Sequence, residues 1–277
     1  MRNTWAVCKR EFLSYFITPV GYVVVGVFAV LSGLGFAASF LGYARATLTP
    51  SAYGYVGVPD FEENLLSPFL VFCGLLIMFI GPLVTMRLLA EEKNRGTAEL
   101  LLTYPLRNAE IIFGKYGAAL GMLLVMMAVV SVQMAVVWYF VPYVEPAVLG
   151  FGVVTVFLMG AAFLSMGLFV SSITRNQVTA GTATFGLWFV SYVLGSLSKD
   201  LPDAIPLPEA WPSWAQTAAS FAFSVFRAIA TELPLDVHAQ DMAQGIFQPE
   251  DILYYVLFSA FWLFLTFRVL ETRLWRT

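Results

Sequence analysis

The sequence predicts an all-α polytopic membrane protein with six transmembrane helices, and three observations carry that reading. Only 12% of the 277 residues are charged, against roughly a quarter in soluble domains, and the mean hydropathy is +0.78. Six stretches reach the roughly 20 apolar residues a helix needs to cross the hydrocarbon core: 17–41, 67–89, 116–141, 149–172, 178–197 and 252–270. Lys and Arg fall almost entirely on one side of these spans. Lipid offers backbone groups no water partner, so all six spans are read as helical. Residues 1–277 form one transmembrane domain.

Residues 1–16 read as an interfacial helix. Trp5, Cys8, Phe12 and Tyr15 recur at helical spacing, with Arg2, Lys9, Arg10 and Glu11 beside them. Thr18-Pro19 breaks that helix before the first span. Ala44-Arg45-Ala46 resembles a signal cleavage site. The apolar run before it is too long for a signal peptide, however, and Glu11 lies in the basic flank, so the first span is expected to be retained.

Orientation follows from the cations. With the N-terminus inside, Arg2, Lys9, Arg10, Arg87, Lys93, Arg95, Arg107, Lys115, Arg175, Arg268, Arg273 and Arg276 are inside, and only Arg45, Lys199 and Arg227 are outside. Both termini are therefore expected in the cytoplasm, in a multi-pass protein of the cell (inner) membrane. Arg87 and Arg268, at span ends, can reach the headgroups.

The loop 42–66 is turn-rich, and 198–251 is the long outer-side segment. Within it, 213–230 is apolar and helical in pattern, with Trp211 and Trp214 at its start. That favours a place at the outer interface or a partial dip into the membrane. A seventh span would carry Arg268, Arg273 and Arg276 outside, and is rejected. His238, the one histidine, stands among Glu232, Asp236 and Asp241. A single imidazole with unspaced acids reads as polar surface, and no metal is expected.

The span interiors lack ionisable groups and offer only side chains such as Gln133, Thr155, Ser165, Thr182, Thr184 and Ser191. Ion-coupled pumps place charge there, so the free energy for any transport comes from elsewhere. Ser165 and Ser196 have no base in reach, and Gly114-Lys115-Tyr116 lacks the Ser/Thr of a P-loop. The chain is thus read as non-catalytic, with no nucleotide, metal or cofactor site of its own. Its net charge of -3 does not suggest nucleic acid, and Cys8 and Cys73 are expected to stay reduced. Gly114, Gly117 and Gly121 form a close-packing stripe, assigned to packing within the chain ahead of homodimerisation.

Charge concentrates in the connection 90–115. Arg87 to Lys93 can continue the second span as a helix, and Asn94-Arg95-Gly96 is a stop with Gly suited to a left-handed cap. Thr97 is an N-cap, Glu99 favours the first turn, and Leu100, Leu101 and Leu102 follow before Tyr104-Pro105 ends a short helix. Asn108 caps the next helix, with Glu110 in its first turn. Three exposed leucines need a cover, either a soluble partner or the bundle's own inner face.

Glu91-Glu92, Arg95-Gly96-Thr97, Glu99-Leu100-Leu101, Pro105 and Gly114-Lys115 resemble the permease subunits of type-2 ABC exporters. The branch that includes gliding-motility and nitrous-oxide-reductase-maturation permeases is the most similar. Lys9-Arg10-Glu11-Phe12, Thr18-Pro19-Gly21-Tyr22, and His238, Gly245, Asp251 and Tyr254-Tyr255 extend the resemblance over nearly the whole chain, although Gln244 stands where an Arg often occurs. The resemblance implies a cytoplasmic coupling helix at about Thr97–Tyr104 that is received by a separate ABC ATPase. Glu91, Glu92, Arg95, Gly96, Thr97, Glu99, Leu100, Leu101, Leu102 and Pro105 would form that coupling interface. Arg175 and Asn176, within Thr174–Gln177, would make a second contact. It further implies two ATPases, a second copy of this permease or a related one, and ATP with magnesium in the partner. The expected function is export of a hydrophobic or amphipathic substrate within membrane lipid. The alternative is a mechanotransmission complex acting on an outer-side accessory protein.

Overall fold

In a computed structural model, the described residues are 2–55, 57, 59–94, 96, 107–141, 144–198, 201–202, 211–235, 238–239 and 248–274. Their regular structure is all helical. In chain order the helices are α1 (Arg2–Ile17), α2 (Val20–Leu48), α3 (Ser67–Thr85), α4 (Ala90–Asn94), α5 (Asn108–Phe140), α6 (Pro146–Ile173), α7 (Gln177–Ser198), α8 (Ser213–Glu232) and α9 (Pro249–Leu274). Among the described residues six segments are long and apolar enough to cross a membrane: α2, the α3–α4 unit from Glu62 to Asn94, α5, α6, α7 and α9. Helix α8 is not among them, in keeping with the rejected seventh span.

Helix α6 is the hub, packed on α3, α5, α7 and α9. Small residues let the others come close. A Cβ at Gly160 would stand 2.9 Å from the Leu123 methyls of α5, and one at Gly167 would meet Thr85 of α3. Helix α2 packs across α3 and α5, where Gln133 Nε2 donates to Ser32 Oγ at 3.2 Å. Its outward face leaves Val23, Val27, Val30 and Leu34 exposed, as a lipid-facing surface does. Trp138, Tyr139 and Phe140, exposed at the end of α5, have the composition of an aromatic belt.

The structure departs from the sequence reading in four places. Helix α2 runs on to Leu48, and the following loop buries Phe61, Leu65 and Leu66, so the 42–66 connection is partly core. Helix α1 packs Cys8, Phe12 and Tyr15 of the expected stripe but leaves Trp5 69% exposed, and Val7 is buried in its stead. The second span does not continue unbroken to Lys93: α3 stops at Thr85, three residues after the internal Pro82. It restarts as α4, where the Ser171 hydroxyl accepts from Leu89 N–H at 3.1 Å and Ala90 N–H at 3.0 Å. A side chain of α6 thereby caps the new N-terminus from across the bundle. Finally, Arg107 rather than Asn108 holds the N-cap position of α5, and Glu110 accepts the Arg107 N–H at 3.0 Å.

Candidate functional site

The charges of the sequence meet at one end of the bundle, where α1, α4, the start of α5 and the end of α6 come together. Helix α1 lies along α5 in the same direction. A Cβ at Gly114 would stand 2.7 Å from Val7 Cβ, one at Gly117 3.2 Å from Cys8 Sγ, and one at Gly121 2.9 Å from the Phe12 ring. The stripe is therefore the bed for α1. Asn3 Nδ2 also donates to Glu110 Oε1 at 3.3 Å, and the Tyr15 hydroxyl donates to the Val84 carbonyl at 2.9 Å. Burial, with the Glu11 charge adding to it, pushes the Tyr15 hydroxyl well above the usual phenol range.

Docked in this way, α1 brings Glu11 to Lys115. The Lys115 side chain is fully buried, with Nζ 3.2 Å from Glu11 Oε1 and 2.8 Å from Glu92 Oε1. Arg10, which is 59% exposed, completes the set at 2.5 Å from Glu11 and 3.5 Å from Glu92. Two carboxylates and two cations from three helices balance one another, which is the condition for tolerating a buried charge. Burial raises the Glu11 carboxyl, but Lys115 and then Arg10 outweigh it and hold it below the usual carboxylate range. The Cys8 thiol, packed nearby, is raised by burial.

Every charged side chain of α4 is tied down. Glu91 Oε2 accepts from Arg87 Nε at 2.8 Å, and Arg87 Nη1 donates to Thr18 Oγ1 at 3.2 Å, at the break between α1 and α2. Lys93 Nζ donates to the carbonyls of Ser171, Ser172 and Thr174, where it neutralises the C-terminal end of α6. Gly96 holds a φ of +70°, in the left-handed region glycine favours.

Of the residues expected at the coupling interface, Glu91 and Glu92 are thus turned into pairs within the chain, their side chains only 18% exposed. Arg175 and Asn176 are exposed in the turn between α6 and α7, where the Asn176 Oδ1 accepts the Val178 N–H at 2.9 Å. Lys93 brings α4 against that turn. Arg95, Thr97, Glu99, Leu100, Leu101, Leu102 and Pro105 lie outside the described residues. The Lys115 centre, with Glu11 and Arg10, was not assigned a site role from sequence. Its signals were a lysine at the start of an apolar run and a glutamate inside a basic flank.

At the opposite end, His238 ties α8 to α9. Its Nδ1 lies 2.8 Å from Asp251 Oδ1, its Nε2 3.1 Å from the Glu232 carbonyl, and its ring stacks on Tyr254 at 4.0 Å. Among the described residues no group of His, Cys, Asp and Glu suits a metal.

Two of the apolar hollows among the described residues lie between spans. One, between α3, α6 and α7 at Gly74, Met159 and Tyr192, has a volume of about 30 Å³, the share of about one water. The other, about 370 Å³, lies between α5 and α9 and is lined by Ile112, Phe113, Leu263, Phe264 and Phe267.

A family model described as ABC-2 family transporter protein matches residues 22–273. The chain belongs to this family. It is also similar to NosY of Pseudomonas aeruginosa, described as a probable ABC transporter permease protein. The two are 28% identical over 208 residues, covering 72% of this chain and 70% of that one. It is similar to YbhS of Escherichia coli K12, described as a probable multidrug ABC transporter permease, at 30% identity over 125 residues. That match covers 43% of this chain and only 31% of YbhS. ABC-2 membership and six apolar helices make this an integral multi-pass membrane protein. In an ABC-2 permease the family implies an ABC ATPase subunit as partner. The exposed turn at Arg175 and the tethered helix α4 stand on the same end of the bundle.

Proposed function

We propose that this chain is the membrane half of an ATP-driven exporter, moved by a separate cytoplasmic ATPase that docks on the segment 95–105. The supporting observation is that α4, which leads into that segment, is fastened to α1 through Arg10–Glu92, to α5 through Lys115 and to α6 through Lys93. A push on the segment would therefore be delivered to several spans together. Arg95, Gly96, Thr97, Glu99, Leu100, Leu101, Leu102 and Pro105 would form the docking knob, with Arg175 and Asn176 as a second contact. Glu91 and Glu92 would anchor the knob from behind. The cation asymmetry favours both termini in the cytoplasm of the inner membrane. Two permease copies and two ATPases would make the working unit, with ATP and magnesium held by the ATPases. The apolar lining of the α5–α9 groove favours a hydrophobic or amphipathic substrate.

The test is Glu99→Arg combined with Leu101→Asp. The variant should fold and reach the membrane but lose co-purification of the ATPase; normal recovery of the ATPase would sink the proposal. A second reading, force transmission to an outer-side protein without solute movement, is favoured by α8. That helix exposes Trp214, Phe221, Val225 and Ile229 along one face. Substrate-stimulated ATP hydrolysis in reconstituted vesicles supports export, whereas hydrolysis governed only by an outer-side protein supports transmission.

A further inference from the structure

Helix α4 and the turn before it grip α1 at two points. Glu92 reaches Arg10 directly and Glu11 through the buried Lys115, and Arg87 reaches Thr18 at the break between α1 and α2. The same helix is pinned to the end of α6 by Lys93 and Ser171. Elsewhere α1 seats Val7, Cys8 and Phe12 over a row of glycines, is held by Asn3 on Glu110 and by the Tyr15 hydroxyl on the Val84 carbonyl, and joins α2 through the Thr18-Pro19 break. On its α5 side it thus meets glycines rather than large side chains, and the charged contacts tie it to α4. We propose that α1 is a moving part of the coupling unit, and that Lys115 is the positioning residue through which the segment after Gly96 drives it. Lys115 touches neither nucleotide nor substrate. It acts through Glu92 and Glu11, so that displacement of α4 carries α1 and, beyond the break, the first span. The inference rests on the coupling role proposed above for the segment 95–105.

Cys8 serves as a built-in reporter, because its thiol is packed over Gly117 and is freed when α1 shifts. The complex of this chain with its ATPase partner is purified through a tag on this chain. Alkylation of Cys8 by N-ethylmaleimide is then followed by peptide mass spectrometry, with and without ATP plus vanadate. In the wild type, nucleotide trapping should change the Cys8 rate several-fold. Lys115→Met should raise the basal rate and reduce the nucleotide response to less than twofold while the ATPase stays bound. Lys115→Arg, which keeps a cation between the two carboxylates, should retain at least half of the response. If Lys115→Met does not accumulate, Glu11→Gln, which loosens α1 and leaves the Glu92–Lys115 pair, carries the same expectation. A full nucleotide response in Lys115→Met or Glu11→Gln overturns the positioning role. A merely structural role would raise the basal rate in Lys115→Met and leave the response intact. A wild-type complex with bound ATPase and no nucleotide response overturns the coupling reading instead.

Discussion

The three glycines under α1 give a graded test, because their neighbours differ in how far they can yield. At Gly114, an added methyl would lie 2.7 Å from both Val7 Cβ and Cγ1 and 3.1 Å from the Thr4 carbonyl oxygen. Carbon atoms prefer about 3.5–4.0 Å, and neither a Cβ nor a backbone oxygen can swing aside. Val7 is moreover stiff about χ1. Gly114→Ala must therefore lift α1, at the overpacking cost of about 1–3 kcal/mol. At Gly121 the obstacle is the Phe12 ring edge at 2.9 Å, which can turn, so the cost should be about half as large. At Gly117 it is a single thiol sulfur at 3.2 Å on a rotatable bond. The helix gain of Gly→Ala, about 0.5–1 kcal/mol, then offsets the contact and leaves Gly117→Ala close to neutral. Unfolding of the purified chain in mild detergent reads the global effect, and Cys8 alkylation reads the lifting of α1. The order should be Gly114 worst, Gly121 intermediate and Gly117 neutral. Equal losses at Gly114 and Gly117, or a neutral Gly114→Ala, would refute the docking geometry.

Two further outcomes are expected. Glu11 has a carboxyl held below the usual range when folded, so its contribution is complete above its ordinary value of about 4.3 and is lost as pH falls through the lower folded value. The stability gap between wild type and Glu11→Gln should stay level from about pH 7 to 5 and close below about pH 4; a gap independent of pH would discount the ion network. His238→Ala strands the buried Asp251 carboxylate and should cost about 2 kcal/mol, read as a lower midpoint of thermal unfolding. Replacing both residues by Leu should recover most of that loss, and a double variant no better than the single one would count against the pairing.

The spans were legible because lipid imposes a length and a polarity that any crossing helix must meet, and 67–89 or 149–172 could hardly be anything else. Charge asymmetry likewise drew attention to the connection 90–115. What local pattern could not supply was the partner of each charge. Glu92 reads equally well as a docking residue or as an anchor, and only the fold brings Lys115 of α5 and Glu11 of α1 to it. The exposure of Trp5 was hidden for a related reason. Trp5 and Val7 flank the same helical stripe, and which one is buried depends on the glycine bed of a helix far along the chain. The break at Thr85 was missed because Ser171, which caps the restart, belongs to α6. In each case local periodicity was sound, and the deciding contact was long-range.

The placement of charge also says what kind of joint this is. Glu91, Glu92, Lys93 and Lys115 are spent on bonds within the chain, which leaves the leucine run at 100–102 as the chemically distinctive part of the connection. A partner docking on the segment 95–105, as proposed, would push on a helix whose own charges keep it attached to the bundle. An ion pair suits that duty better than apolar packing does. Opening a pair from about 3 to 4 Å forfeits about a quarter of its Coulomb attraction, whereas a gap of up to about 1 Å forfeits as much as half of a dispersion contact. A joint of four balanced charges can therefore stay engaged through a small displacement that would part an apolar contact. Set beside a glycine bed that presents no large side chain of α5 to α1, it is the attachment that the proposed movement of α1 requires.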